Sequence, residues 1–352
     1  MLAGAYQSFL GKAGLYDEGD ADFTALLLDE DEHIAACGSL KGNILKQIAV
    51  DPDAEGGGYC AEIVSALISE AFSRGEYHLF LFTKPKHLSM FNSMGFDPLV
   101  STDDMLMMEN TRGGLKKYLD ALPHYNREPH SEAPSGKVNS ENADYAENVA
   151  AGTSVNSGAP VDGRRYGIGA IVCNCNPFTL GHRRLIEYAA KRCRHLLVFV
   201  LSEDLSMFPA DVRYELVKKG TADIKNADII QSSDYLISRA TFPAYFLKDT
   251  VNKEAAKCEL DLRLFGERIA PALGIEARFV GEEPFDEVTA EYNRAMKRLL
   301  PGYGIDVIEI PRYEGISASK VRQLIKDGKI EETEKYLPKT TFEYIQNQNA
   351  SF

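Results

Sequence analysis

The residues best placed to do chemistry are Asn176, Pro177, Phe178, Thr179, Gly181 and His182, which close the run IVCNCNPFTLGH from Ile171 to His182. A turn of this composition at a helix start suits a phosphate. Unpaired backbone N–H groups and the helix dipole favour an anion there, and Gly181 has no Cβ to keep a phosphate oxygen away. An imidazole N–H in the first helical turn can donate to a phosphate whose charge grows during displacement. A donor already fixed in place lowers that barrier without reorganisation. The plain alternative is a Pro-Phe turn with a surface histidine.

A second cluster, ISASKVR from Ile316 to Arg322, carries Ser317, Ser319, Lys320 and Arg322. Ser317 reads as an N-cap whose hydroxyl and neighbouring N–H groups can hold phosphate oxygens, and Arg322 adds a permanent planar charge. Alone, a serine before a basic helix is an ordinary cap.

The elements that must position these clusters are legible too. Ile168 to Cys173 is apolar on both faces, as a central parallel strand is, and Leu185 to Cys193 has helical apolar spacing. The two clusters lie about 135 residues apart with βα units between them. A parallel sheet can therefore bring both helix starts to one carboxyl edge.

The order NPFTLGH then ISASKVR resembles the nucleotidyltransferase superfamily of dinucleotide-binding-like αβα domains, in which such a pair clamps ATP or CTP around the α-phosphate. More narrowly, CNCNPFTLGHRRLIEYAA, FPADVRYELVKKGTADI, SDYLISRATFPAYFLKD, RFVGEEPFDEVTAEYN and ISASKVRQLI are similar to the citrate lyase ligase family, over most of residues 166 to 327. The resemblance implies an α/β chain whose C-terminal domain is Rossmann-like, with a parallel sheet. It implies that His182, Thr179 and Arg322 act on the phosphates, and that Asn176, Pro177, Phe178, Gly181, Ile316, Ser317 and Ser319 shape the ATP site. It also implies acetate as substrate, Mg²⁺ with the ATP, and as partner the acyl-carrier subunit of citrate lyase with its phosphoribosyl-dephospho-CoA group. The superfamily motif usually begins with His where this chain has Thr179. Threonine can donate to a phosphate but carries no charge, which leaves that role to His182.

Composition agrees. The 352 residues suffice for two domains, and 44% hydrophobic content is that of a globular chain. A net charge of −13 argues against a nucleic-acid or anionic-membrane surface, so an anionic nucleotide must find local positive charge. No apolar run is long enough to span a membrane, and the amino terminus has no signal-peptide pattern. Six Cys without framework spacing read as reduced thiols in a cytoplasm. Cys173 and Cys175 have no further ligand at metal spacing, so strand packing is expected of them and no metal site.

From Pro123 to Gly163 there is no Leu, Ile, Phe or Met. Such a segment cannot bury enough surface to order itself, which divides the chain into 1–122, a flexible linker at 123–163 and 164–352, with the halves free to move. The first half alternates strands at Phe23 to Asp29, His33 to Leu40, Ile44 to Val50 and His78 to Thr83 with a helix from about Cys60 to Arg74. Its glycine turn DPDAEGGGYC can cradle a pyrophosphate on Gly56, Gly57 and Gly58. With FNSMGF at Phe91 to Phe96, it resembles an α+β acetyltransferase-like domain of the Gcn5-related family. Glu55 and Cys60 depart from that family's turn, and the strands before Phe23 look incomplete, so docking or structural support competes with acyl transfer.

Between the clusters, Arg239 and Thr241, with Ser238 and Tyr245, are candidates for the acetate carboxylate or a triphosphate. Gly281 and Glu283, with Glu282, follow a strand at the edge where ribose or adenine binds in such folds. Asn293 and Tyr292 are candidates for the same cleft. Asp211, Arg213 and Glu215 read as a solvated helix face. Two other classes stay open: an enzyme adenylylating a phosphorylated cofactor precursor, and a regulatory protein without turnover.

Overall fold

The structure is a computed structural model and describes residues 2–54, 56–125, 166–202, 206–236, 253–284, 286–313 and 315–348. Ser238, Arg239, Thr241, Tyr245 and Glu55 lie outside them, as does the proposed linker beyond Tyr125.

The first half holds α1 (Leu2–Lys12), β1 (Phe23–Leu28), β2 (Ile34–Lys41), β3 (Ile44–Val50), α2 (Tyr59–Ser73), β4 (Phe80–Thr83), α3 (Leu88–Ser93), β5 (Asp97–Ser101), β6 (Leu106–Glu109) and α4 (Gly114–Asp120). Its six strands run β1-β2-β3-β4-β6-β5, antiparallel except where β3 meets β4. Ile63, Val64, Leu67 and Ala71 line the buried face of α2 at helical spacing. A helix, α1, stands where strands before Phe23 looked incomplete.

The second half holds β7 (Tyr166–Cys173), α5 (Leu180–Ala190), β8 (Cys193–Val200), α6 (Ala210–Gly220), β9 (Ala227–Gln231) and α7 (Lys253–Leu264). A π-helical stretch at Phe265–Ile269 leads to α8 (Ala270–Leu273), then β10 (Ala277–Gly281), α9 (Glu287–Leu299), β11 (Asp306–Ile310), α10 (Ala318–Lys326) and α11 (Lys339–Asn347). The five strands are parallel, in the order β11-β10-β7-β8-β9. Leu196 to Val200 are buried without a break, as a strand covered by helices on both faces requires. The chain lays β8 and β9 on one side of β7, then returns to lay β10 and β11 on the other. The strand order therefore reverses at β7, and the crevice such a reversal opens lies at the carboxyl ends of β7 and β10.

The expectation that the halves move freely is not met, because they share a hydrophobic cluster. Phe80, Phe82, Met107 and Leu115 pack in it with Leu197, Phe199, Ile230, Tyr235 and Leu260. Polar contacts cross as well, Asn43 Nδ2 to Asp234 (2.9 Å) and an Arg268 guanidinium N–H to the Leu99 carbonyl (2.9 Å). Tyr125, at the end of the described stretch 56–125, donates to Asp228 and stacks on His195.

The polar centre of this interface is the buried carboxylate of Glu109. One oxygen accepts from the Tyr235 hydroxyl (2.5 Å) and lies 2.8 Å from His78 Nε2, and the other accepts from the Leu115 N–H (3.2 Å). Gly114 makes room for the group, since a Cβ there would sit 2.5 Å from both the carboxylate and the Tyr235 oxygen. Tyr235→Phe keeps the ring and removes a donor from a buried charge, so stability should fall by ~1.5–3 kcal/mol. A urea midpoint that does not move would show that Glu109 does not depend on this bond.

Candidate active site

Both clusters arrive at the β7 crevice. NPFTLGH links β7 to α5, and ISASKVR links β11 to α10. Arg322 donates from Nη1 to the Asn176 carbonyl (2.6 Å) and from Nη2 to Ser319 Oγ (2.9 Å), which ties one motif to the other. A Cβ on Gly181 would lie 3.7 Å from Ile316, and Arg184 of α5 lies over the Tyr313 ring at 4.7 Å. The two loops form one wall.

Local chemistry sets each helix start. Thr179 caps α5: its Oγ1 accepts from the His182 N–H (3.4 Å), while its own N–H donates to His182 Nδ1 (3.1 Å). Nδ1 is thus an acceptor, and the neutral ring carries its proton on Nε2. Ser317 caps α10, accepting from the Lys320 N–H (3.4 Å). Asn176 Oδ1 accepts from the Phe208 N–H (3.2 Å), and Pro177 and Phe178 are buried beneath the turn. Gly220 lets the Phe178 ring in, because a Cβ there would stand 2.5 Å from it.

Electrostatics revise two expectations. His182 is half-buried, and desolvation, then the charges of Arg312 and Arg322, push its pKa down to about 4. It is therefore a neutral N–H donor at neutral pH, and the positive charge expected of it comes from the two arginines. Thr179, expected to donate to a phosphate, is 2% exposed, and its hydroxyl lies 3.0 Å from His182 Nδ1 within the cap. It positions the histidine.

The depressed value also sets a pH dependence. Above pH 6.5 the ring is neutral folded or unfolded and contributes nothing; between 6.5 and about 4 only the unfolded chain takes up the proton. Stability from this residue should therefore decline as pH falls through that window and level off below it. His182→Ala should flatten that part of a denaturation-against-pH curve, and an identical slope in the variant would contradict the assignment.

The other candidates divide. Gly281 ends β10 in open space, with no atom within 4 Å of a Cβ built there. Glu283 is not a solvated charge, since it pairs with Arg312 (2.6 Å), whose Nε donates to the Ile316 carbonyl (3.1 Å). Asn293 does not present its amide to the cleft. It is buried and donates to the Gly281 carbonyl and Glu309, both at 3.0 Å. Tyr292 is held away as well, donating to Asp261 and accepting from Arg278.

Sequence reading missed Arg312 and misplaced Arg213. Asp211 and Glu215 are exposed as expected, but Arg213 is fully buried. It donates to the carbonyls of Leu201 (2.6 Å), Asn174 (2.8 Å) and Phe208 (3.0 Å) and to Asn174 Oδ1 (2.6 Å). It thereby joins the ends of β7 and β8 to the start of α6. Its signal lay in the sequence, since Arg213 shares helical spacing with buried Leu216, Val217 and Gly220.

Two capped helix starts, two arginines and a neutral histidine thus meet at the switch point of a parallel sheet. The profile of the citrate lyase ligase C-terminal domain matches residues 168–345. A [citrate [pro-3S]-lyase] ligase from Klebsiella pneumoniae is 37% identical over 97% of this chain and 92% of its own length, and one from Escherichia coli K12 is 37% identical over 92% and 84%. The chain belongs to the citrate lyase ligase family. A solved bifunctional NMN adenylyltransferase/ADP ribose pyrophosphatase from Francisella tularensis is 14% identical over 53% of this chain and 50% of its own. Its TM-score of 0.36 leaves the assignment resting on the family matches.

Proposed function

We propose that this chain activates citrate lyase in the cytoplasm by acetylating the thiol of the phosphoribosyl-dephospho-CoA group on the lyase's acyl-carrier subunit, at the expense of ATP. Acetate attacks the α-phosphorus of ATP, giving acetyl adenylate and pyrophosphate. The carrier thiol then attacks the acetyl carbon and releases AMP. No nucleophile on the enzyme is needed, since a bound carboxylate attacks directly. Positioning and charge neutralisation supply the catalysis.

The geometry supports the following roles. His182 Nε2–H donates to the phosphate that gains charge, Arg322 and Arg312 neutralise the triphosphate, and the N–H groups at Gly181 and around Ser317 and Ser319 hold its oxygens. The adenosine lies over Gly281 at the end of β10. Magnesium would arrive as MgATP, since its preference for phosphate oxygens and water asks few ligands of the protein. No described helix is long and apolar enough to cross a membrane.

The observation that carries this reading is the bond from Arg322 to the Asn176 carbonyl, which joins the two motifs around one site. Purified protein with acetate, MgATP and de-acetylated citrate lyase should release AMP and pyrophosphate in equal amounts and restore lyase activity. AMP recovered joined to a phosphorylated second substrate would overturn it in favour of cofactor adenylylation.

A further inference from the structure

Cys173 ends β7 half-exposed, and Cys175, two residues on, is fully buried. Between them the backbone does not continue as a strand. At Cys175 it takes a φ of 51°, and the two sulfurs come to 3.1 Å. That is about 1 Å longer than a disulfide bond. Of the other four cysteines, Cys37, Cys193 and Cys258 are buried, and half-exposed Cys60 has Met90 Sδ at 4.0 Å. Strand packing accounts for Cys173 but not for a second sulfur turned back onto it.

We propose that Cys173 and Cys175 form a site of reversible oxidation, closing to a disulfide that distorts the nucleotide turn. The oxidant class is a peroxide. The Cys173 thiolate attacks one oxygen of hydrogen peroxide, the O–O bond breaks, and the departing hydroxide takes a proton to leave as water. The Cys175 sulfur then displaces the hydroxyl of the resulting sulfenic acid, the S–S bond forms, and a second water leaves. Two thiols lose two electrons and two protons, and the peroxide accepts both pairs. Cys173 makes the first attack because it is the more accessible, and burial, then the neighbouring Cys173, hold the Cys175 thiol protonated against the opposing charge of Arg213. Cys175 resolves.

The consequence lies in what the crosslink spans. Asn174 sits between the two cysteines and gives its carbonyl and side-chain oxygen to Arg213, and the carbonyl of Asn176, directly after Cys175, holds Arg322. Drawing the sulfurs about 1 Å closer pulls on all of these, and a misplacement of that size can cost about 10² in rate. The effect on turnover rests on the proposed function, whereas the crosslink itself does not.

The test treats the full chain with hydrogen peroxide, blocks remaining thiols by alkylation and maps peptides by mass. The expected result is a peptide containing both Cys173 and Cys175, unalkylated and two hydrogens lighter. Pyrophosphate release should fall about 10²-fold and return with dithiothreitol, while Cys173→Ser and Cys175→Ala should resist peroxide and Cys60→Ser should stay sensitive. Alkylation of both cysteines at peroxide concentrations that oxidise Cys60 would overturn the proposal, as would a crosslinked protein of undiminished turnover. Because the crosslink is read by mass, it stands or falls separately from the ligase reaction.

Discussion

Replacing His182 by alanine is expected to lower the rate of pyrophosphate release by about 10² or more, the usual cost of removing one preorganised donor from a developing anion. The effect should fall on turnover more than on the KM for ATP, because Arg312 and Arg322 still neutralise the ground-state triphosphate. The cap makes the prediction more specific. Thr179→Val leaves the imidazole in place but removes the oxygen that accepts from the His182 N–H, costing about 1 kcal/mol of helix stability. If Thr179 acts by positioning, that variant should lose less turnover than His182→Ala. Steady-state kinetics of the two proteins decide this, and undiminished turnover in His182→Ala would remove the residue from the mechanism.

Arg213→Met should be the most damaging substitution outside the phosphate-facing residues. It leaves the carbonyls of Leu201, Asn174 and Phe208 without their donor, that of Phe208 fully buried and the other two partly so. An unmet buried acceptor costs about 1–3 kcal/mol, and with water reaching the two part-buried carbonyls the sum should be roughly 3 kcal/mol. For a chain of this length melting as one unit that corresponds to a fall in Tm of roughly 4 °C. Turnover should fall with it, because the clamp fixes the residues before Asn176. Arg213→Lys should not rescue, since a single ammonium cannot reproduce a planar group bonded in several directions. Thermal melts of the two variants check this, and a wild-type Tm in Arg213→Met would show that the turn holds itself.

What the sequence disclosed and what it hid have physical causes. The parallel sheet was legible because strands covered on both faces are apolar throughout, as Ile168 to Cys173 and Leu196 to Val200 are. The capped helices were legible because Thr179 and Ser317 are the residue types that satisfy free N–H groups. Arg213 was misplaced because a charged residue on a helix is ordinarily solvated. Only the tertiary fold brings three carbonyls to it. Arg312 was missed because it follows β11 outside either motif, and its pairing with Glu283 joins segments 29 residues apart in sequence. The freedom of the halves was overestimated because linker composition says nothing about complementarity of the surfaces it connects.

The common cluster around Phe199, Ile230, Phe80 and Met107 has a consequence for how the chain denatures. Neither half can lose its structure without exposing apolar surface on the other, so heating should give a single endotherm where separable modules would give two. Excised alone, the ligase half would carry a water-facing greasy patch and tend to precipitate.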